Sequence, residues 1–114
     1  MGKLLQIRVS AWTYREDDVV RAWPALAALA WPRPQRPDEK RGVLELVDAL
    51  RDGLSFADWP DNVAASLQEG IGRVATLKSA LEEALFQWEP RKANDLSDAL
   101  EDALAKLNEL APRP

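Results

Sequence analysis

The carboxylates hold most of the reactive potential in this chain. Asp98 and Asp102 stand four residues apart, with Glu101 between them, and Glu82 adjoins Glu83. Residues spaced by four are neighbours on a helix surface. Two such acids divide into proton donor and acceptor when burial separates their pKa values. Here both groups fall on the polar side of a helical pattern, where charges stay solvated. Tyr14 is the one phenol. The chain has no His and no Cys, which removes thiol nucleophiles, Ser-His-Asp triads and Cys/His zinc sites. The five glycines form no phosphate-cradling loop. The expectation is a protein that is not an enzyme, with no catalytic residue, no metal ligand and no cofactor.

Binding is the other chemistry to look for. The stretch RAWPALAALAWPRPQRP, residues 21–37, sets Trp23-Pro24 and Trp31-Pro32 eight residues apart and then adds two arginines and two prolines. Pro34-Gln35-Arg36-Pro37 has the P-x-x-P spacing of a polyproline II ligand. The flanking positions where such ligands carry a basic residue hold Trp31 and Glu39. A stiff loop between helices is therefore favoured. Five tryptophans are many for 114 residues. Large aromatics are mostly buried, so most are expected to anchor element ends. Trp12 shares strand parity with polar residues and Trp31 adjoins the loop, so these two are expected to stay exposed. The candidate partner-binding set is Trp12, Trp31, Arg33, Pro34, Arg36 and Pro37.

These residues need elements to position them. Leu5, Ile7 and Val9 alternate with Gln6, Arg8 and Ser10, the period of a half-buried strand, which predicts a strand over 3–14. Arg15 to Trp31 reads as a helix kinked or broken at Pro24, because proline inside a helix removes a hydrogen bond and clashes with the preceding turn. Asp38 is placed to cap a helix over 38–52, with Gly53 ending it. Val63, Leu67, Ile71, Val74, Leu77, Leu81, Leu85 and Trp88 form one stripe along a helix over 61–88. Leu96, Leu100, Ala103, Leu107 and Leu110 form another over 94–111, with Asn94 or Asp95 as its cap. A short connection makes these two an antiparallel hairpin. Gly70 and Gly72 each cost about 1 kcal/mol inside a helix, which suggests that another helix packs closely there. The fold class expected is mainly α: one domain, 1–114, a bundle of four to five helices with one N-terminal β-strand. A lone strand leaves backbone groups unpaired, so a homodimer joined through residues 4–10 is expected.

A strand followed by two helices in a dimer resembles the ribbon-helix-helix family of DNA-binding regulators, over about residues 4–54. The resemblance implies that Gln6, Arg8 and Ser10 face the major groove while Leu5, Ile7 and Val9 are buried. Two features depart from that family: the proline-rich connection at 32–37, and the extra length of Ala11 to Tyr14. Residues 1–60 hold nine Lys/Arg against nine Asp/Glu, and residues 61–114 hold six against ten, which supplies the whole net charge of −4. Phosphate contacts dominate affinity for DNA, so this balance disfavours nucleic acid.

The expected function is a small cytoplasmic protein–protein interaction or assembly protein, with a copy of itself and an unknown protein as partners. The alternative is the DNA-binding regulator, its acidic C-terminal hairpin binding a protein. No apolar run reaches about 18 residues, so no membrane association is expected.

Overall fold

A computed structural model describes residue 4 and residues 9–114. Five helices follow one another: α1 (Glu16–Ala22), α2 (Pro24–Ala30), α3 (Val43–Phe56), α4 (Asp61–Phe86) and α5 (Pro90–Leu110). There is no strand among the described residues. Residue 4 and residues 9–14, the described part of the expected strand over 3–14, show no regular structure. Gln6 and Arg8 lie outside the described residues.

Pro24 divides the first helical segment in two. Trp23 ends α1 by donating its N–H to the Val19 carbonyl, and its own carbonyl opens α2 by accepting from Ala27. Pro24 is the first residue of α2, a place where its missing N–H costs nothing. Trp23 (φ −132, ψ 64) and Trp31 (φ −131, ψ 71) share nearly one backbone conformation. Both precede a proline, whose ring keeps the preceding residue out of the helical region.

α3 starts five residues later than the expected 38 and runs past Gly53 to Phe56. Asp38 does not cap it. Pro37 and Asp38 instead form the centre of a β-turn closed by the Glu39 N–H donating to the Arg36 carbonyl at 3.1 Å. Gly42 precedes α3 and has no side chain to cap with. Thr13 supplies the missing oxygen: its Oγ1 accepts the Val43 N–H at 2.7 Å, and Glu45 accepts the Gly42 N–H at 3.0 Å. A Cβ on Gly42 would collide with Thr13, so the glycine lets the distant cap approach.

The hairpin of α4 and α5 is the largest packed unit. Leu67, Ile71, Val74 and Leu81 of α4 meet Leu100, Leu104 and Leu107 of α5, all buried. Each such side chain contributes roughly 1.5–3 kcal/mol on leaving water. Leu104, absent from the expected stripe, is fully buried, whereas Leu110 is largely exposed. α5 begins at Pro90, four residues before Asn94, again because proline suits a first helical position. Gly70 meets Leu107, whose Cδ1 would lie 2.5 Å from an added Cβ, while Gly72 faces open space. Close helix packing therefore explains Gly70 and not Gly72.

α3 and α2 lie over the hairpin and seal the core with Leu46, Val47, Leu50 and Leu26. Asn108 of α5 ties α2 in place. Its Oδ1 accepts the N–H groups of Ala25 (3.0 Å) and Leu26 (3.1 Å), so a residue 83 positions away caps a helix that lacks a cap of its own. The result is one mainly helical globule. No helix among the described residues is long and apolar enough to cross a membrane.

Candidate functional site

The loop from Pro32 to Gly42 is folded by its own side chains, with Arg41 at the centre. The Arg41 guanidinium donates to the Glu39 carboxylate at 2.9 Å and to the Arg33 carbonyl at 2.8 Å, and it lies 5.4 Å from the Trp31 ring centroid. Guanidinium suits this position because it can stack on an indole and bridge oxygens in one plane. Glu16, at the start of α1, accepts from both the Arg41 backbone N–H (2.8 Å) and the Gln35 amide (3.1 Å). Gln35 also donates to the Glu39 carbonyl at 2.7 Å. The side-chain hydrogen bond from Arg41, joined by the Arg36 backbone N–H, holds the Glu39 carboxyl below its ordinary range.

This network answers what the proline-rich stretch is. Gln35, between the two prolines of P-x-x-P, is tied into the protein. Pro37 makes a turn. The segment is a stiff wall, and the wall borders a groove of about 890 Å³. Trp31, Arg33, Pro34 and Arg36 line it, and Pro37 does not. Across from them stand Asp52, Phe56, Asp58 and Trp59, which sequence reasoning passed over. Phe56 ends α3 and is 87% exposed. The Trp59 ring lies against Gly53, where any Cβ would collide with it. That contact is why a glycine occupies α3 without ending it, against the expectation that Gly53 stops the helix.

Trp31 is half-buried rather than exposed, because Arg41 covers its ring. Among the described residues neither Arg33 nor Arg36 forms an ion pair, so both guanidinium groups face solvent along the groove wall. The groove thus has an aromatic floor, a cationic wall and an opposite wall bearing two carboxylates. Volumes of this size suit a peptide side chain or a small ligand.

Trp12 lies elsewhere. It is 81% exposed and lines a cleft of about 310 Å³ with Tyr14, Val43 and Leu44. A neighbouring cleft of about 380 Å³ is lined by Val9, Ser10, Leu44, Glu82, Phe86 and Trp88. Ser10 is exposed at this second cleft. Trp88 breaks the expectation that the α4 stripe continues through it. It has a positive φ of 58 and is 63% exposed. It occupies the left-handed position of a Schellman motif: the Glu89 N–H donates to the Ala84 carbonyl at 2.9 Å and the Trp88 N–H to the Leu85 carbonyl at 3.2 Å. The sharp turn into α5 requires that conformation, which costs a residue other than glycine about 1–2 kcal/mol.

The acids show no arrangement for proton transfer. Asp98, Asp102, Glu82 and Glu83 are all exposed, and Tyr14 is 93% exposed. Among the described residues no cluster of acids is gathered as a metal site would be. No protein-family model matches the chain, and comparison with curated proteins and with solved structures finds no match.

Proposed function

We propose that the chain is a small cytoplasmic protein–protein interaction or assembly protein, a homodimer joined through residues 4–10, that holds a partner protein in the groove between the 31–41 loop and the end of α3. The observation that carries the reading is Phe56. A phenylalanine 87% exposed beside a rigid, aromatic-floored groove is the composition of an interface centre. The partner is an extended apolar segment that carries a carboxylate. Arg33 and Arg36 offer that carboxylate two free guanidinium groups, and Asp52 and Asp58 favour a basic residue on the other side. Because the loop is braced by Glu16, Gln35, Glu39 and Arg41, binding costs little ordering entropy.

The test compares capture from the protein's own cells by the wild-type chain, Phe56→Ser and Arg33→Glu/Arg36→Glu. A captured protein that rebinds in purified form, and loses roughly tenfold or more in affinity to both variants, supports the reading. Capture and rebinding that are indifferent to both variants would remove the groove from it.

A further inference from the structure

We propose that the cleft at the α4–α5 corner receives residues 1–8 of a second copy of this chain, so that two copies exchange these segments. The inference rests on the homodimer reading and adds where each segment docks. Its starting point is Trp88. The turn into α5 needs a left-handed residue, which glycine adopts freely. The chain places there a bulky indole, held at φ 58 and 63% exposed. Backbone strain of this kind clusters at functional sites. Phe86, beside it, is 61% exposed, and Val9 on the facing wall is 42% exposed.

The chemistry of the occupant follows from the wall. Glu82 lines the cleft and shares Lys78 with Asp48, and Glu89 pairs with Lys92 at 3.6 Å. Glu83, exposed nearby in sequence, accepts from the Gln87 amide and has no cation among the described residues, so acids outnumber cations there. An apolar segment with positive charge fits an apolar slot beside acids. Residues 1–8 read MGKLLQIR: apolar Leu4, Leu5 and Ile7, basic Lys3 and Arg8. The following residue, Val9, lines the cleft, and a two-fold axis passing beside it would set each segment at the other copy's cleft. Eight extended residues reach about 27 Å.

A second copy, rather than the same chain, accounts for two observations. Leu4 is 98% exposed in the single chain, so its own fold leaves it uncovered. The area also suits a dimer. Phe86 and Trp88 at this cleft, with Trp12 and Tyr14 at the adjoining one, together offer on the order of 500 Å² of exposed ring per copy, and an eight-residue segment raises this toward the roughly 800 Å² per partner of a stable interface.

Sedimentation velocity at high micromolar concentration tests this with full-length wild type, Leu5→Glu/Ile7→Glu, Phe86→Ser and Trp88→Gly. The expected result is a wild-type dimer that each variant weakens by roughly tenfold or more. Trp88→Gly should do so while raising the melting temperature of the monomer, because glycine relieves the left-handed strain; a folding defect cannot mimic that pair of results. A wild-type monomer overturns both the dimer and the docking. A dimer lost in Leu5→Glu/Ile7→Glu but unchanged in Phe86→Ser and Trp88→Gly leaves the homodimer standing and overturns the cleft as its acceptor. A monomer whose melting temperature falls in Leu5→Glu/Ile7→Glu shows the segment docked on its own chain, which also overturns the exchange.

Discussion

The α4–α5 hairpin and the α2–α3 connection each join two helices, by opposite means. The hairpin turns in three residues, 87–89, and closes mainly with backbone hydrogen bonds, the side-chain contacts there being local and exposed. Its helices are aligned by leucine stripes along their whole facing sides. The α2–α3 connection takes twelve residues, 31–42, and is shaped by side chains from elsewhere, Glu16 and Thr13, and by its own Arg41. A short turn between long apolar stripes leaves little for polar groups to decide. A long turn between short helices must be specified bond by bond. The candidate groove lies beside the second kind of connection, where polar contacts fix the shape and leave aromatic surface open.

The contrast can be broken at its strongest point first. Leu104→Ala empties a fully buried site in the hairpin and should cost roughly 3–5 kcal/mol, read as a lower denaturant midpoint with an unchanged slope. Asn108→Ala removes the cap that α5 lends to α2. It should cost about 1–2 kcal/mol, with hydrogen exchange quickening at the start of α2 before the hairpin. A uniform loss of protection would mean that the two halves are one cooperative unit. Gly72→Ala should stabilise by about 1 kcal/mol, because nothing lies near its Cβ position. A loss of stability there would show that the hairpin's open face is covered.

The smallest effect concerns the one ion pair that joins α3 to α4 among the described residues. Lys78 donates to Asp48 at 3.1 Å and pairs with Glu82 at 3.5 Å. Burial pulls its pKa down, but the Asp48 hydrogen bond and the two negative charges outweigh this and hold it above the ordinary 10.5. The folded chain therefore keeps its proton to higher pH than the unfolded one. The pair's contribution, on the order of 0.5 kcal/mol, is complete below the unfolded value and fades as pH rises through the folded one. Lys78→Met should flatten that part of the alkaline stability curve.

Much of the bundle was legible along the chain. The spacings of three and four from Val63 to Leu85 and from Leu96 to Leu107 mark two helices, since each residue repeats the face presented by one turn of helix. Trp-Pro pairs mark helix ends through a steric rule that acts between neighbours. Helix starts were less legible. Asp38 and Asn94 have the composition of caps, yet Gly42 with Thr13 and Pro90 hold those places, because a capping oxygen can arrive from any part of the chain. The groove was half legible. Trp31, Arg33, Pro34 and Arg36 stood out by composition. Phe56 and Trp59 did not, since only folding carries the end of α3 across to the loop.

The sequence by itself determined the helical hairpin, an interruption at Pro24 that could be a kink or a break, the missing thiol and imidazole chemistry and the uneven charge. All of these follow from residue type and spacing over one or two turns. Tertiary structure alone decided that Asn108 caps α2, that Thr13 caps α3, that Arg41 folds the proline-rich loop into a wall, and that Trp88 points outward from a strained turn. The two caps join residues far apart along the chain, while the Arg41 network and the Trp88 turn are local arrangements of hydrogen bonds, a stacked ring and a backbone angle that apolar spacing and residue type do not encode.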